Sequence, residues 1–343
     1  MEGYNKKVIM SYWTICRMKT TKKIYVKVSI IFLLGGILLF SSCEKEENQK
    51  IEANRKTLFM YLPWSSNLTN YFYNNISDLE KCITKIGLNN EKVIVFISTG
   101  STEAMMFEIV SSHGRCKREI LKKYKSPPFT TIDGITAILN DVKAFAPASV
   151  YTMIIGCHGM GWLPVYEMKV RSAPHMKMHW EYQGVPLTRY FGGLTAEYQT
   201  DIKSLASGIA NAGMKMEYIL FDDCYMSSIE VAYELKDVTK YLIGSTSEMM
   251  AYGMPYAAIG EYLLGNPDYQ SGCEEFYNFY STYEIMPCGT LAVTDCSELE
   301  NMAAIIKSIN SKYSFDKSLR GTIQRLDGYT PVIFYDFADY ITS

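Results

Sequence analysis

Histidine, paired cysteines and long apolar runs are all scarce in this 343-residue sequence. There are four histidines, no two of the nine cysteines are spaced as Cys-x-x-Cys, and the longest apolar run covers only residues 28–40. Without Cys-x-x-Cys pairs there is no sign of a zinc ribbon or of thioredoxin-like chemistry. The short run excludes a protein with several membrane spans, since each span needs about 20 apolar residues. No internal repeat is visible either, so the sequence predicts one fairly large globular domain.

Excess positive charge is confined to the amino end. The net charge is −2, but residues 1–42 carry +6 and the remaining 301 residues carry −8. A surface that binds nucleic acid would be basic, so the charge predicts no nucleic-acid partner. At 48% apolar and 20% charged residues, the composition is that of an ordinary folded protein.

The basic residues precede the apolar run, as in a secretory signal. Lys19, Lys22, Lys23 and Lys27 lie just before residues 28–40, and that run is followed by Ser41, Ser42 and Cys43. A basic region, a short apolar core and small residues at a cleavage point make an export signal. The cysteine resembles that of a bacterial lipobox. We therefore predict export to the bacterial cell envelope with Cys43 as the lipid-anchored residue; an ordinary signal or a short anchor helix is the alternative.

Three segments are predicted along the chain. Residues 1–42 form the signal segment, in which Met18 is the more natural start because it puts the basic cluster at the amino end. Residues 43–55 form a polar tether, and residues 56–343 form the folded domain. Within the domain, residues 163–199 contain prolines, paired glycines and no clear period. This pattern predicts a long loop that serves as a lid, a cleavage site or a substrate wall, with a disordered insertion as the alternative.

Strand-like apolar runs alternate with helix-like periodic stretches from residue 57 onward. The predicted strands are residues 57–62, 93–98, 104–110, 151–155, 216–221, 241–245 and 290–294. The predicted helices are residues 133–146, 201–212, 227–238, 257–264, 274–283 and 297–314. Such alternation implies crossover connections, and therefore an α/β fold with a mainly parallel sheet covered on both faces. The second and third strands are close enough in sequence to form an antiparallel hairpin.

Only one of the four histidines is well placed for catalysis. His158 directly follows a predicted strand, within Gly-Cys-His-Gly-Met-Gly-Trp, and a parallel sheet presents its ligand site at the carboxyl ends of its strands. His113 lies in a polar loop and is predicted to be a solvated surface group. His175 and His179 have the four-residue spacing of a metal pair, but an adjacent proline and the lack of a nearby acid count against it. We predict no metal site.

The same reasoning selects one cysteine. Cys224 follows the strand at 216–221 and precedes a predicted helix, whose amino-terminal dipole and N–H groups would favour a thiolate. Without the cysteines of the signal and the lipid anchor, seven remain, an odd number that leaves at least one free thiol. Cys157 is the main rival because it adjoins His158. However, successive residues of a strand point to opposite faces, and adjacent residues rarely serve as nucleophile and base together.

These motifs together resemble the clostripain family of cysteine peptidases. The matching elements are the strand and His-Gly-x-Gly-Trp at 151–162, the Asp-x-Cys turn at 222–226, and Glu-Val-Ala-Tyr-Glu-Leu at 230–235. Further matches are Ser-Thr-Ser-Glu at 245–248, Gly-Met-Pro-Tyr at 253–256, and the opening at 60–61 with Asn67 and Leu68. The likeness covers about residues 55–340. It implies a caspase-like three-layer α/β/α sandwich with a mainly parallel sheet.

The resemblance implies an exported, lipid-anchored cysteine endopeptidase that acts on peptides or proteins. Cys224 would be the nucleophile, and His158 would act as acid and then as base. Backbone N–H groups of Gly159 and Cys224 would bind the oxyanion. The chemistry requires no cofactor; calcium dependence occurs in the family, but no EF-hand-like run of acids is present. The alternative is a catalytically silent surface lipoprotein that binds peptide or protein in the same groove.

The family's preference for basic residues predicts cleavage after Arg or Lys. The pocket for that side chain would have Asp222 at its base and Ser245, Ser247 and Glu248 in its wall, since a buried carboxylate pairs with a guanidinium or ammonium group. The alternative is that Asp222 caps the following helix or holds the turn around the nucleophile.

Two departures from the family pattern bear on the site. Asp223 stands where the family often has a small residue, and its carboxylate would disfavour the thiolate of Cys224 if it faced inward. Residues 249–251 are Met-Met-Ala and supply no second acid for a basic substrate.

The long loop is also a candidate site of processing. Related peptidases are often activated by cutting themselves in such a loop, and this one contains several basic residues. The candidate autocleavage sites are Lys169, Arg171, Lys177 and Arg189.

Overall fold

An eight-stranded sheet is the framework of the chain, which a computed structural model describes over residues 54–65, 67–163, 165, 192, 196–329 and 332–342. The strands are β1 (Asn54–Leu62), β2 (Glu91–Gly100), β3 (Glu103–Ser112), β4 (Arg115–Lys125), β5 (Ala148–Ile155), β6 (Met216–Phe221), β7 (Thr239–Gly244) and β8 (Ala292–Asp295). Their order across the sheet is β4-β3-β2-β1-β5-β6-β7-β8.

The central strands are parallel and the edges are antiparallel. β2, β1, β5, β6 and β7 run parallel, whereas β3, β4 and β8 are antiparallel to their neighbours. β1 and β2 are buried almost throughout, as expected for strands that are covered on both faces. The mainly parallel sheet and the antiparallel β2–β3 hairpin that the sequence predicted are both confirmed.

Helices cover both faces of the sheet. They are α1 (Thr69–Ile86), α2 (Ile132–Phe145), α3 (Ile202–Asn211), α4 (Ile229–Leu235), α5 (Tyr256–Leu263), α6 (Tyr269–Ser281), α7 (Leu299–Lys312) and α8 (Phe337–Thr342). α1 packs on α5 and α5 packs on α6, in a core layer that we call the first layer. α2 packs on α3 and α3 packs on α4, in a second layer across the sheet. The predicted three-layer α/β/α fold is confirmed.

Three elements, α1, β4 and α8, were absent from the sequence prediction. α1 carries its apolar residues at helical spacing, at Phe72, Ile76, Leu79 and Ile83, but asparagines and tyrosines interrupt the pattern. β4 is highly charged and reads as a polar loop. It forms because β3 offers an unpaired edge, and charged side chains are common on edge strands.

The β3–β4 hairpin fixes the position of one histidine. His113 and Gly114 form its turn with φ of +51° and +68°, a left-handed conformation that suits two-residue hairpin turns. The side chain of His113 is exposed, so the predicted solvated histidine is confirmed, although it lies in a tight turn.

Several predictions concern residues outside the described part of the chain. These are the signal at 1–42, Cys43 with most of its tether, and most of the long loop at 163–199. Across the residues that are described, none of the helices has the length and apolarity needed to cross a bilayer.

Candidate active site

His158 and Cys224 follow neighbouring strands at the same distance. His158 lies three residues beyond the end of β5, and Cys224 lies three residues beyond the end of β6. The last residues of these strands, Ile155 and Phe221, are paired in register. The backbone N–H of Asp222 then donates to the carbonyl of Ile155 at 2.8 Å, which continues the pairing by one residue. Both side chains therefore arise at the carboxyl edge of the sheet, where parallel sheets bind their ligands.

The loop that carries His158 packs directly on the turn that carries Cys224. A Cβ atom at Gly159 would lie 2.2 Å from the carbonyl oxygen of Cys224 and 2.8 Å from the Cβ of Asp223. No side chain fits at that distance from backbone. Gly159 is therefore required for the two segments to touch, and its main chain lies beside that of Cys224.

The two cysteines near this edge lie in different core layers. Cys224 belongs to the first layer and Cys157 to the second, so the strand alternation points them to opposite sides of the sheet. Asp223 faces Cys157, since its carboxylate accepts the backbone N–H of Cys157 at 2.6 Å and lies 3.4 Å from its Sγ. The carboxylate of Asp223 thus joins the segments that follow β5 and β6.

A backbone N–H group contacts the sulfur of Cys224. The N–H of Met249 donates to Sγ at 3.1 Å, and Sγ lies 3.6 Å from the carbonyl oxygen of Met249. An N–H donor stabilises the charged form of a thiol. Sequence reasoning missed Met249 because no local pattern relates it to Cys224, which precedes it by 25 residues.

The helix amino terminus that the sequence predicted next to Cys224 begins further along the chain. α4 begins at Ile229 with Ser228 as its N-cap, five residues after Cys224 rather than beside it. Tyr225 causes the delay, because its φ of +59° takes the chain out of helical conformation. The backbone N–H of Val231 donates to Oγ of Ser228 at 3.3 Å, so Ser228, and not Asp222, caps this helix.

The imidazole of His158 is buried, and Asn67, which lies just before α1, orients it. Its Nε2 lies 2.8 Å from Oδ1 of Asn67, and because an amide oxygen only accepts, Nε2 carries the proton in this contact. The backbone N–H of His158 donates to the carbonyl of Gly192 at 3.2 Å. Asn67 was noticed in the sequence only as part of the family resemblance, without a role at the site.

Asp222 lies beneath the same edge with its carboxylate buried. It accepts the backbone N–H of Met254 at 2.8 Å and the hydroxyl of Tyr256 at 3.0 Å. These contacts join the turn of Cys224, at residues 222–226, to the segment that leads into α5. The carboxylate is therefore on the Cys224 side of the sheet, as its predicted place in a pocket requires.

The segment after β7 runs alongside the turn of Cys224. The backbone N–H groups of Tyr225 and Ser227 donate to the carbonyls of Ser247 and Ser245, each at 3.0 Å. The hydroxyl of Thr290 lies 2.8 Å from that of Ser245 and 3.0 Å from that of Ser247. Thr290 is thus a further residue of this wall, which sequence reasoning missed because it lies more than 40 residues downstream.

Glu248 also lies near the turn of Cys224. Burial is the largest cause that holds the pKa of the Tyr329 phenol well above its ordinary value, and the negative charge of Glu248 is the second. Burial and Glu248 likewise raise the pKa of the Cys288 thiol. The sequence-predicted residues Asp222, Ser245, Ser247 and Glu248 are therefore gathered around the turn of Cys224.

Some of the remaining site predictions concern residues that the structure does not describe. The proposed autocleavage residues Lys169, Arg171, Lys177 and Arg189, and the pair His175 and His179, lie outside the described residues. Within the described part of the chain, no three His, Cys, Asp or Glu side chains are grouped so that they could hold a metal ion. None of the seven cysteines in the described residues forms a disulfide, and only Cys288 among them is exposed.

Comparison with known proteins gives one consistent result. The sequence model of the clostripain family matches residues 60–342. A search of curated proteins found no match. Among solved structures, the chain is similar to a secreted C11 cysteine protease of Bacteroides thetaiotaomicron, "iotapain", with 60% identity, a TM-score of 0.77, and coverage of 84% of this chain and 80% of that one.

Two further structures share the fold. One is an inactive zymogen C11 protease from Parabacteroides distasonis, at 25% identity and a TM-score of 0.68, covering 84% of this chain and 76% of that one. The other is a secreted C11 cysteine protease from Bacteroides thetaiotaomicron bound to an irreversible peptide inhibitor, at 20% identity and a TM-score of 0.66, covering 84% and 77%.

Proposed function

The chain belongs to the clostripain family of cysteine peptidases, and from that premise we propose that it is an exported, lipid-anchored endopeptidase with a Cys224–His158 dyad that cleaves after Arg or Lys. Family membership makes it a cysteine peptidase. The observation that supports the dyad best is the contact between Gly159 and the carbonyl of Cys224, which keeps the histidine loop beside the cysteine turn.

The proposed reaction is ordinary thiol acyl transfer. The Cys224 thiolate attacks the peptide carbonyl, the carbonyl π electrons move onto oxygen, and the oxyanion is held by the N–H groups of Gly159 and Cys224. On collapse of this intermediate the C–N bond breaks, and His158 gives the leaving amine the proton that it took from the Cys224 thiol. His158 then takes a proton from water as the water oxygen attacks the thioester carbonyl. The C–S bond breaks, which releases the acid product and returns Cys224 as the leaving thiolate. No cofactor is needed in these steps.

Asp222 is the proposed recognition group for the basic side chain. Its carboxylate already accepts from Met254 and Tyr256, and a substrate guanidinium or ammonium would supply further donors. The wall of Ser245, Ser247 and Glu248, which Thr290 holds together, would line the approach. The competing role, in which Asp222 only holds the turn, depends on the same two hydrogen bonds.

Both dyad residues are buried in the intact chain. Cys224 is 0% exposed and His158 is 1% exposed, with the main chain of Met249 on one and the side chain of Asn67 on the other. A peptide carbonyl must approach the sulfur before reaction, so this arrangement must open. We propose that cleavage after Lys169, Arg171, Lys177 or Arg189 releases it. The relative described as an inactive zymogen supports this proposal.

Labelling with a peptide-derived thiol electrophile that ends in Arg or Lys tests the dyad. A Cys288→Ser background removes the exposed thiol. In that background we expect label at Cys224 alone, no hydrolysis by Cys224→Ala or His158→Ala, and near wild-type hydrolysis by Cys157→Ala. If Cys157→Ala abolished hydrolysis while Cys224→Ala kept it, the nucleophile would be assigned wrongly.

Asp222→Asn tests the specificity because asparagine is isosteric and keeps an oxygen that accepts from Met254. Losing one partner of a desolvated charge pair costs about 2–5 kcal/mol. The variant should therefore lose cleavage after Arg far more than any cleavage after a neutral residue. Equal losses on both substrates would assign Asp222 to the turn alone.

Two variants test processing and anchoring. Replacing Lys169, Arg171, Lys177 and Arg189 together by Gln should leave an uncut chain with little hydrolysis, and full hydrolysis by the uncut variant would contradict the proposal. Cys43→Ser should abolish incorporation of fatty acid in a bacterial host and release the protein from membranes. Continued membrane retention of that variant would favour an anchor helix.

A further inference from the structure

A segment near the carboxyl end contacts both halves of the proposed dyad site. We name residues 327–329 and 332–334 the C-terminal clamp. The ring of Phe334 stacks on that of Tyr225, with centroids 4.5 Å apart and planes 6° apart, and the ring of Tyr329 lies 5.7 Å from Tyr225 on a different plane. Tyr225, Tyr329 and Phe334 are all buried.

The contact with Tyr225 acts on a strained part of the chain. Tyr225 immediately follows Cys224 and has a φ of +59°, which a bulky residue adopts only when its surroundings hold it there. Its backbone N–H is held by Ser247, and its ring is held by the C-terminal clamp. The conformation of the nucleophile turn therefore depends on a segment about 100 residues further along the chain.

The same clamp holds the histidine loop. A Cβ at Gly161 would lie 2.6 Å from Cε1 of Phe334, so the ring of Phe334 rests on the backbone three residues after His158. The hydroxyl of Tyr329 lies 3.5 Å from Sδ of Met160. The clamp thus contacts the residues that follow both partners of the Gly159–Cys224 contact, through the ring of Tyr225 on one side and the backbone of Gly161 on the other.

The clamp is itself held in one shape. The carboxylate of Asp327 accepts the backbone N–H groups of Tyr329 and Ile333, each at 2.8 Å, and that of Phe334. The guanidinium of Arg320 donates to the hydroxyl of Tyr335 at 2.6 Å and to the carbonyl of Val332 at 3.0 Å. The position of the Phe334 ring is therefore set before any substrate binds.

We infer that Phe334, held by Asp327, is a positioning residue for peptide hydrolysis: by stacking on Tyr225 and resting on Gly161, it fixes the N–H groups of Cys224 and Gly159 relative to each other. This inference rests on the proposed roles of those two residues. Because an oxyanion exists only during reaction, misplacing its donors lowers kcat and leaves KM largely unchanged. A small displacement of such groups costs on the order of 10²-fold in rate.

The test compares three full-length variants after maturation, with kcat expressed per active site titrated by an irreversible inhibitor. Phe334→Ala should lower kcat by on the order of 10²-fold with KM within about threefold of wild type. Phe334→Tyr keeps the ring and should restore most of kcat. Phe107→Ala removes an equally buried ring from β3, three strands from β5, and should lower Tm without lowering kcat.

Each outcome decides the inference. If Phe334→Ala has wild-type kcat well below its Tm, or if Phe107→Ala loses as much kcat, Phe334 is only a core residue. Should Phe334→Ala not fold, Phe334→Leu keeps an apolar side chain without the planar ring, and the same loss of kcat is expected of it. Full activity of Cys224→Ala would instead refute the proposed function, so the two failures are distinguishable.

Discussion

The carboxylate of Asp223 accepts the backbone N–H of Cys157 at 2.6 Å, across 66 residues of sequence. This hydrogen bond ties the turn of Cys224 to the strand end that carries His158. It also explains how a carboxylate can stand next to the proposed nucleophile, since Asp223 faces the second core layer while Cys224 lies in the first.

Replacing Asp223 should therefore affect both stability and rate. Asp223→Ala removes the acceptor for a buried N–H group, which costs about 1–3 kcal/mol. Asp223→Asn keeps one acceptor oxygen and should cost less. Denaturant unfolding measures the first effect and kcat the second. Asp237→Ala, at an exposed aspartate, is the control, and a similar loss in that variant would contradict the role of Asp223.

Gly159→Ala should abolish most activity. The new Cβ would lie 2.2 Å from the carbonyl oxygen of Cys224, so the two backbones must separate and a proposed oxyanion donor moves away. Loss of one such donor costs about 10²–10³-fold in kcat. Gly100→Ala is the matched control, because a Cβ there meets nothing within 4 Å. Near wild-type kcat in Gly159→Ala would show that the two loops need not touch during catalysis.

Asn67→Ala should reduce kcat moderately. The amide oxygen of Asn67 orients the imidazole of His158 through a 2.8 Å contact. A neutral hydrogen bond contributes about 0.5–1.5 kcal/mol, which corresponds to a loss of about two- to tenfold in rate. Steady-state kinetics on the mature enzyme measure this loss, and Asn74→Ala, at an exposed position of α1, should have no effect. A higher rate in Asn67→Ala would mean that Asn67 holds the histidine in an inactive orientation.

Lys56 should make stability depend on pH at the opposite end of the sheet. Its Nζ donates to the carbonyls of Leu263 and Gly265, and burial lowers its pKa from 10.5 to about 8. Between these values the unfolded chain binds more protons than the folded one, so stability rises with pH.

The comparison with Lys56→Met isolates this effect. From pH 8 to 10.5, the free energy of unfolding of the wild type should rise relative to that of Lys56→Met, by up to about 3 kcal/mol. Below pH 8 the difference should be constant. Urea unfolding at a series of pH values measures it. Parallel curves for the two proteins across pH 8–10.5 would contradict the lowered pKa.

Local patterns in the sequence were sufficient for the fold class. Apolar runs of strand length alternate with helical periods, and this alternation alone requires crossovers, a mainly parallel sheet and two helical layers. The predicted strand at 216–221 has the observed bounds, and most other elements differ by one to five residues at their ends. Among the elements that were missed, polar residues interrupt the helical period in α1, and pairing with an edge strand decides the structure of β4.

The sequence by itself determined which His and which Cys stand three residues beyond a buried strand, because that offset is local to each strand. Only the tertiary structure decided what surrounds them. The sheet order makes β5 and β6 neighbours, so that Gly159 meets Cys224, Asp223 meets Cys157, and Met249, Asn67 and Phe334 reach the site from three other segments. These contacts join residues that are 25 to 109 positions apart, a separation that no local period encodes.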